Sequence, residues 1–255
     1  MDLNLAGRTA IVTGGSKGIG RAIALTLAAE GCHLHLAARG ADALNAVREE
    51  VAAKYNVNVT THAYDLSQSD QLHALAEGAA DADILINNAG AIPAGRIGEI
   101  DEARWREAWD LKLFGYINLC RAMYAAMKKR GRGVIINVIG TGGERPTAGY
   151  IAGAGANAGL IAFTRALGGE SHRDNLRVLG INPGLTETER MRDLGEQMGR
   201  GPGTEGWDKM MGAMPFGRPG MPEEVADLAA FLASDRAAYI NGTIVTIDGG
   251  HAARA

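Results

Sequence analysis

The sequence predicts an α/β, doubly wound fold: a seven-stranded parallel sheet with helices on both faces. Three observations predict it. Short Val/Ile/Leu-rich runs alternate with longer amphipathic stretches, as a parallel sheet buried on both faces requires. Glycine is over-represented, 36 of 255 residues against roughly 7% in average proteins. The glycines are not periodic, which removes collagen-like and repeat readings; they gather at the ends of the apolar runs, where such a fold turns tightly. Finally, 46% hydrophobic and 22% charged residues describe ordinary globular material, and no linker-like shift interrupts it, so residues 1–255 read as one domain.

In chain order, residues 9–12 read as a first strand, followed by a glycine-rich turn and a helix through Glu30. Residues 33–37 are the second strand, with a helix over 41–54 after it. The third strand is expected over 57–63 and the fourth over 84–86. A long helical stretch runs from Asp101 to Lys129. The fifth strand covers 134–138, and a helix follows from Tyr150 to Glu170. Residues 177–181 are the sixth strand and 243–247 the seventh.

One stretch breaks the rhythm. Residues 185–220 hold five methionines, including Met210, Met211 and Met214. An insertion beyond the sixth strand lies at the carboxyl edge of the sheet, where a substrate lid belongs, and methionine suits an adaptable pocket wall. A pair of surface helices with buried methionines is the plainer alternative.

Composition excludes several classes. A net charge of −3 gives no electrostatic footprint for nucleic acid. No apolar run is long enough to span a bilayer, and the N-terminus lacks a basic region followed by an apolar one. A cytoplasmic protein is therefore expected, with Cys32 and Cys120 as reduced, buried thiols. His33 and His35 share a strand face, but two ligands without a third make no metal site, and none is expected.

The chemistry begins at Thr13-Gly14-Gly15-Ser16-Lys17-Gly18-Ile19-Gly20, between the first strand and its helix. Glycines there allow the turn, let backbone N–H groups approach a pyrophosphate and let helix and sheet pack closely. With a strand before and a helix after, the loop reads as a Rossmann-type dinucleotide site. Thr-Gly-x-x-x-Gly-Ile-Gly resembles the cofactor motif of the classical short-chain dehydrogenase/reductases. Asn87-Asn88-Ala89-Gly90, Pro183-Gly184 with Thr188, and Ile247-Asp248-Gly249-Gly250 are similar to further marks of that family, in its order. The resemblance implies cofactor contacts at Gly14, Ser16, Lys17, Gly18, Ile19, Asp65, Leu66, Asn87, Ala89, Pro183, Gly184, Thr186 and Thr188.

Cofactor choice turns on the second strand. NAD-binding proteins usually end it with an acid for the ribose 2′-OH. Here it ends Ala37-Ala38-Arg39, with no carboxylate before Asp42. Arg39 suits a 2′-phosphate, and Lys17 can add a second charge, so NADP is favoured over NAD.

The resemblance also implies an Asn, a Ser and a Tyr-x-x-x-Lys pair, and this chain departs from all four. Aligned on the helix landmark at 162–167, the tyrosine position is Gly153 and the lysine position Asn157. The serine position falls on Gly140, and the asparagine position, set by Leu113-Phe114-Gly115, on Lys112. Two features offset the loss. Tyr150 precedes Asn157 by the Tyr-x6 spacing that resembles enoyl-acyl-carrier-protein reductases of the same superfamily. Lys and Asn are both present but exchanged, so Lys112 can bring an ammonium from the opposite helix. Tyr150, Lys112 and Asn157 are thus the catalytic candidates. Thr141 and Thr147 are nearby hydroxyls, and Arg145 is a candidate for an acidic substrate group.

The reading is an NADP(H)-dependent oxidoreductase acting on a small carbonyl, alcohol or activated C=C substrate. The alternatives are a cofactor-binding sensor or inactive partner subunit, and a different reaction on the same scaffold. The resemblance further implies a homodimer or homotetramer, paired through the helices over 101–129 and 150–170.

Overall fold

Seven strands pair in the order β3-β2-β1-β4-β5-β6-β7, every pair parallel. They are Thr9–Thr13 (β1), His33–Ala38 (β2), Val59–Ala63 (β3), Ile84–Asn87 (β4), Gly133–Val138 (β5), Leu176–Pro183 (β6) and Ile244–Ile247 (β7). The computed structural model describes residues 1–253. The expected doubly wound sheet is present, with strand ends displaced by a residue or two: β3 starts at Val59, and β6 continues to Pro183.

Alternation along each strand sorts the helices. Ala10 and Val12 of β1 face a core shared with Gly18–Ala29 (α1), Ala41–Lys54 (α2) and Pro222–Ala233 (α9). Ile11 faces the other side, against Ser69–Gly78 (α3), Gly115–Arg130 (α5) and Ile151–Ser171 (α6). Successive side chains of a strand point to opposite faces, so one residue of β1 serves each layer in turn. Each fully buried Leu or Ile in these layers stabilises by about 1.5–3 kcal/mol. Most buried polar groups are paired. Asn87 of β4 and Asn137 of β5 are in register. Asn87 Nδ2 donates to Asn137 Oδ1 at 2.9 Å, and Asn137 Nδ2 donates to Thr164 Oγ1 at 2.9 Å.

The long stretch over 101–129 is three consecutive pieces: Glu102–Trp109 (α4), a π-helical turn over Asp110–Phe114, and α5. The 185–220 segment carries Glu189–Gln197 (α7) and Glu205–Gly212 (α8). Among the described residues, no helix is long and apolar enough to cross a membrane. Cys32 and Cys120 are free and buried, as expected.

Candidate active site

The strand order reverses between β1 and β4, and at the carboxyl ends of these strands the loops must part. A cleft of about 610 Å³ opens there. A second cavity, of about 650 Å³, lies at the amino ends of the strands. Its charged side chains are spent structurally, Arg8 on Asp235 at 2.6 Å, Arg132 on Asp83 at 3.0 Å and Arg177 on the carbonyls of Leu232 and Ser234. The site chemistry therefore lies in the first.

The glycine loop forms one wall. Gly14 and Gly18 adopt φ of +65° and +54°, open to glycine without strain. A Cβ on Gly20 would stand 2.2 Å from the Gly14 carbonyl oxygen, so only glycine lets α1 start this close to the loop. Thr13 Oγ1 accepts from the N–H groups of Asn88 and Ala89 at 2.8 and 3.0 Å, locking the loops after β1 and β4 together. No side chain caps the start of α1, and its first turn carries no acid. Its N–H groups and positive dipole end are open to a phosphate.

At the outer end, Arg39 is exposed, and its guanidinium has no ion-pair partner among the described residues. Lys17 instead pairs with Glu189 at 3.2 Å, across the mouth of the cleft. Asp65 Oδ1 is held by Ser67, and Leu66 is buried beside it. Both line the cleft, as do Gly14, Ser16, Gly18, Ile19, Ala89, Pro183, Gly184, Thr186 and Thr188. Asn87 does not. Its amide is committed inside the sheet to Asn137 and to Cys120 Sγ at 3.2 Å, and Asn88 takes its place on the wall.

The inner end gathers Lys112, Tyr150 and Arg190. Lys112 comes from the π turn, a helical irregularity frequent at functional sites. Its buried Nζ donates to Tyr116 Oη and to the Val138 carbonyl, both at 2.8 Å. Burial, with the Arg190 charge second, pushes the ammonium down to about 7. Tyr150 occupies the N-cap position of α6. A Cβ on Gly153 would stand 2.0 Å from Tyr150 Cε1, so the tyrosine ring fills the space a side chain at 153 would need. Burial pushes the Tyr150 phenol up, while the charge of Arg190 and its hydrogen bond pull the other way.

Asn157, expected at the catalytic centre, is buried behind the cleft wall. Its Nδ2 donates to the Gly140 carbonyl at 3.4 Å, and it does not line the cleft. Nor do Thr141, Thr147 or Arg145; the last donates to the His251 carbonyl. The methionine wall is also narrower than expected. Met191 of α7 lines the cleft, but Met210, Met211 and Met214 do not. His35 Nδ1 and His62 Nε2 meet at 2.9 Å on the β2–β3 edge, and the described residues contain no group of three potential metal ligands. Arg190 escaped the sequence reading. One of two arginines in an acid-and-base-rich helix carries no signal until the fold brings it to the same cleft as a tyrosine forty residues earlier.

A family model described as enoyl-(acyl carrier protein) reductase matches residues 14–252. The 3-oxoacyl-acyl-carrier-protein reductase FabG of Chlamydia trachomatis serovar D is 33% identical over 252 residues, 97% of this chain and 98% of that protein. FabG of Escherichia coli (strain K12) is 34% identical over 254 residues, 97% and 98%. Among solved structures, L-sorbose reductase from Gluconobacter frateurii, complexed with NADPH and L-sorbose, matches with a TM-score of 0.92 at 32% identity, covering 100% of both chains.

Proposed function

This chain belongs to the short-chain dehydrogenase/reductase family of oxidoreductases, and from that premise we propose that it is an NADP(H)-dependent enzyme interconverting a small carbonyl compound and its alcohol. The observation that carries the reading is the cleft with its two ends. An uncapped helix start and an exposed Arg39 lie at one end, and a buried phenol beside a guanidinium lies at the other. The residues fit a dinucleotide with a 2′-phosphate. The loop glycines let the turn close tightly on α1 and on Asn88, where a Cβ at Gly14 or Gly20 would collide, and Arg39 offers a fork for the phosphate oxygens. Carbonyl chemistry is preferred over reduction of a C=C bond because a 3-oxoacyl reductase and a sorbose reductase stand among the relatives.

When bound, the cofactor supplies a hydride to the carbonyl carbon. Tyr150 then gives its phenolic proton to the carbonyl oxygen, so that C=O becomes CH–OH; in the reverse direction its phenolate takes that proton back. Lys112, near neutrality, holds or releases a proton at Nζ against Tyr116 Oη. The active site is atypical on this reading. Lys112, Gly140, Gly153 and Asn157 stand at the family's Asn, Ser, Tyr and Lys positions. The ring of Tyr150 lying over Gly153 supports a displaced tyrosine. Asn157 fixes the Gly140 turn rather than the ribose. Helix α7 serves as the substrate lid, with Arg190, Met191 and Leu194 on its cleft side.

Titration with NADPH and NADH, followed by oxidation of bound NADPH against ketones, aldehydes and enones, tests this. Expected is NADPH affinity about tenfold or more above that for NADH, the worth of about 1.4 kcal/mol, with turnover of a carbonyl. Binding without turnover across the panel returns the protein to the cofactor-sensing alternative. No binding overturns the proposal.

A further inference from the structure

Arg190 lies in the first turn of α7 with its side chain half-buried in the cleft. Its guanidinium donates to the carbonyl of Ile92, and it lines the inner end of the cleft together with Tyr150, whose phenol feels its charge. Three elements therefore meet at one group: the lid helix, the segment after β4 and the start of α6. Of the three carboxylates within three residues, Glu189 pairs with Lys17 and Glu187 with Arg192, and Asp193 is exposed and makes no ion pair with Arg190. Among the described residues, Arg190 has no carboxylate partner. A half-buried guanidinium without a counter-anion is costly unless an anion forms beside it.

We propose that Arg190 is the positioning residue for Tyr150: carried by the lid helix, its guanidinium aims the phenol at the substrate oxygen and holds the negative charge that proton transfer leaves behind. This rests on the reading of Tyr150 as proton donor. In the reducing direction the substrate carbon gains the hydride, and its oxygen gains the Tyr150 proton. The phenolate that remains takes a proton from solvent, the cofactor leaves oxidised, and Arg190 stays protonated throughout. Two cations face this corner, and their chemistry chooses between them. Lys112 sits near 7 and is only partly charged at neutrality, and it spends its donors on Tyr116 and Val138. A guanidinium is charged at every working pH. Tyr116 is buried and pushed well up, so it supplies no charge. The permanent positive charge at the phenol is therefore that of Arg190.

The test compares the wild type with Arg190→Gln and Arg190→Lys, using Tyr150→Phe to isolate the Tyr150 signal. Phenolate absorbance after a rapid pH jump reads the ionisation of Tyr150 before alkaline unfolding. Loss of an adjacent positive charge moves such a group by about 1 pH unit or more. Expected in Arg190→Gln is an upward shift of that size, with partial return in Arg190→Lys and unchanged NADPH affinity. The pH profile of alcohol oxidation moves the same way. A folded Arg190→Gln protein, with native circular dichroism and an unmoved Tyr150 ionisation, overturns the proposal. Absence of turnover in every protein, wild type included, sinks the enzymatic reading instead, and the absorbance titration still decides whether Arg190 governs Tyr150.

Discussion

Lys112 places a titratable group in a nearly buried position at the inner end of the cleft. Its ammonium sits near 7, through burial first and the Arg190 charge second, while in the unfolded chain it titrates near 10.5. Between those values the unfolded state binds more protons than the folded one, so stability rises with pH across the window. The contribution is complete above the unfolded value and is lost as pH falls to the folded one. Its slope reaches about 1.4 kcal/mol per pH unit. Lys112→Met fills the same volume without a charge. Urea unfolding of both proteins should show the wild type gaining on the variant from pH 7 to about 9 at up to that slope. A difference that does not change with pH would show that the amine is solvated. The pair with Tyr116 would then be a surface contact.

At the scale of the element, what could be read from the sequence was what is local. Burial on both faces makes a parallel strand a run of Val, Ile and Leu, so β1, β4 and β5 stand out without any knowledge of their neighbours. The loop over 13–20 is legible for the same reason, since the turn, the phosphate approach and the helix start all lie within eight residues of chain. What failed was non-local. Whether Asn87 or Asn88 faces the cleft depends on the pleat and on Asn137 across the sheet. Asn157 and Lys112 trade places in the alignment, yet only Lys112, carried on the π turn, reaches the cleft. Helix α6 shows how far such detail matters. Gly153 and Gly169 are both helical glycines, but a Cβ at 153 strikes the Tyr150 ring, whereas one at 169 meets nothing within 4 Å. Gly169→Ala should raise stability by roughly 0.5–1 kcal/mol and leave activity unchanged. Gly153→Ala should displace the phenol, cutting turnover at least tenfold, about 1.4 kcal/mol of barrier, with nucleotide affinity kept. Equal activity in the two variants would remove Tyr150 from the chemistry.

For the molecule as a whole, the cleft joins parts that the sheet otherwise holds separately. The loop after β1 and the end of β2 belong to one half of the sheet. The segments after β4 and β6, with α7, belong to the other. A nucleotide lying across the reversal of strand order touches both halves and binds only when they are in place. It should therefore stabilise the entire fold by mass action, about 2.7 kcal/mol at a hundredfold excess over its dissociation constant. For a chain of this size each kcal/mol moves the melting temperature by roughly 2–4 °C, so protection is easily read. Arg39 makes the prediction specific. It lies at the rim, exposed and unpaired among the described residues, so Arg39→Ala should not change the melting temperature of the free protein. NADPH, by contrast, gains a charge-assisted pair there that NADH lacks. At equal concentrations NADPH should protect the wild type more than NADH does, and Arg39→Ala should bring the two nearly level, leaving Lys17 to account for any remainder once Glu189 releases it. That pair is exposed and worth no more than about 1 kcal/mol, so a phosphate can outbid the carboxylate. Equal protection of the wild type by both nucleotides would make Arg39 a solvated arginine and remove the preference for NADP.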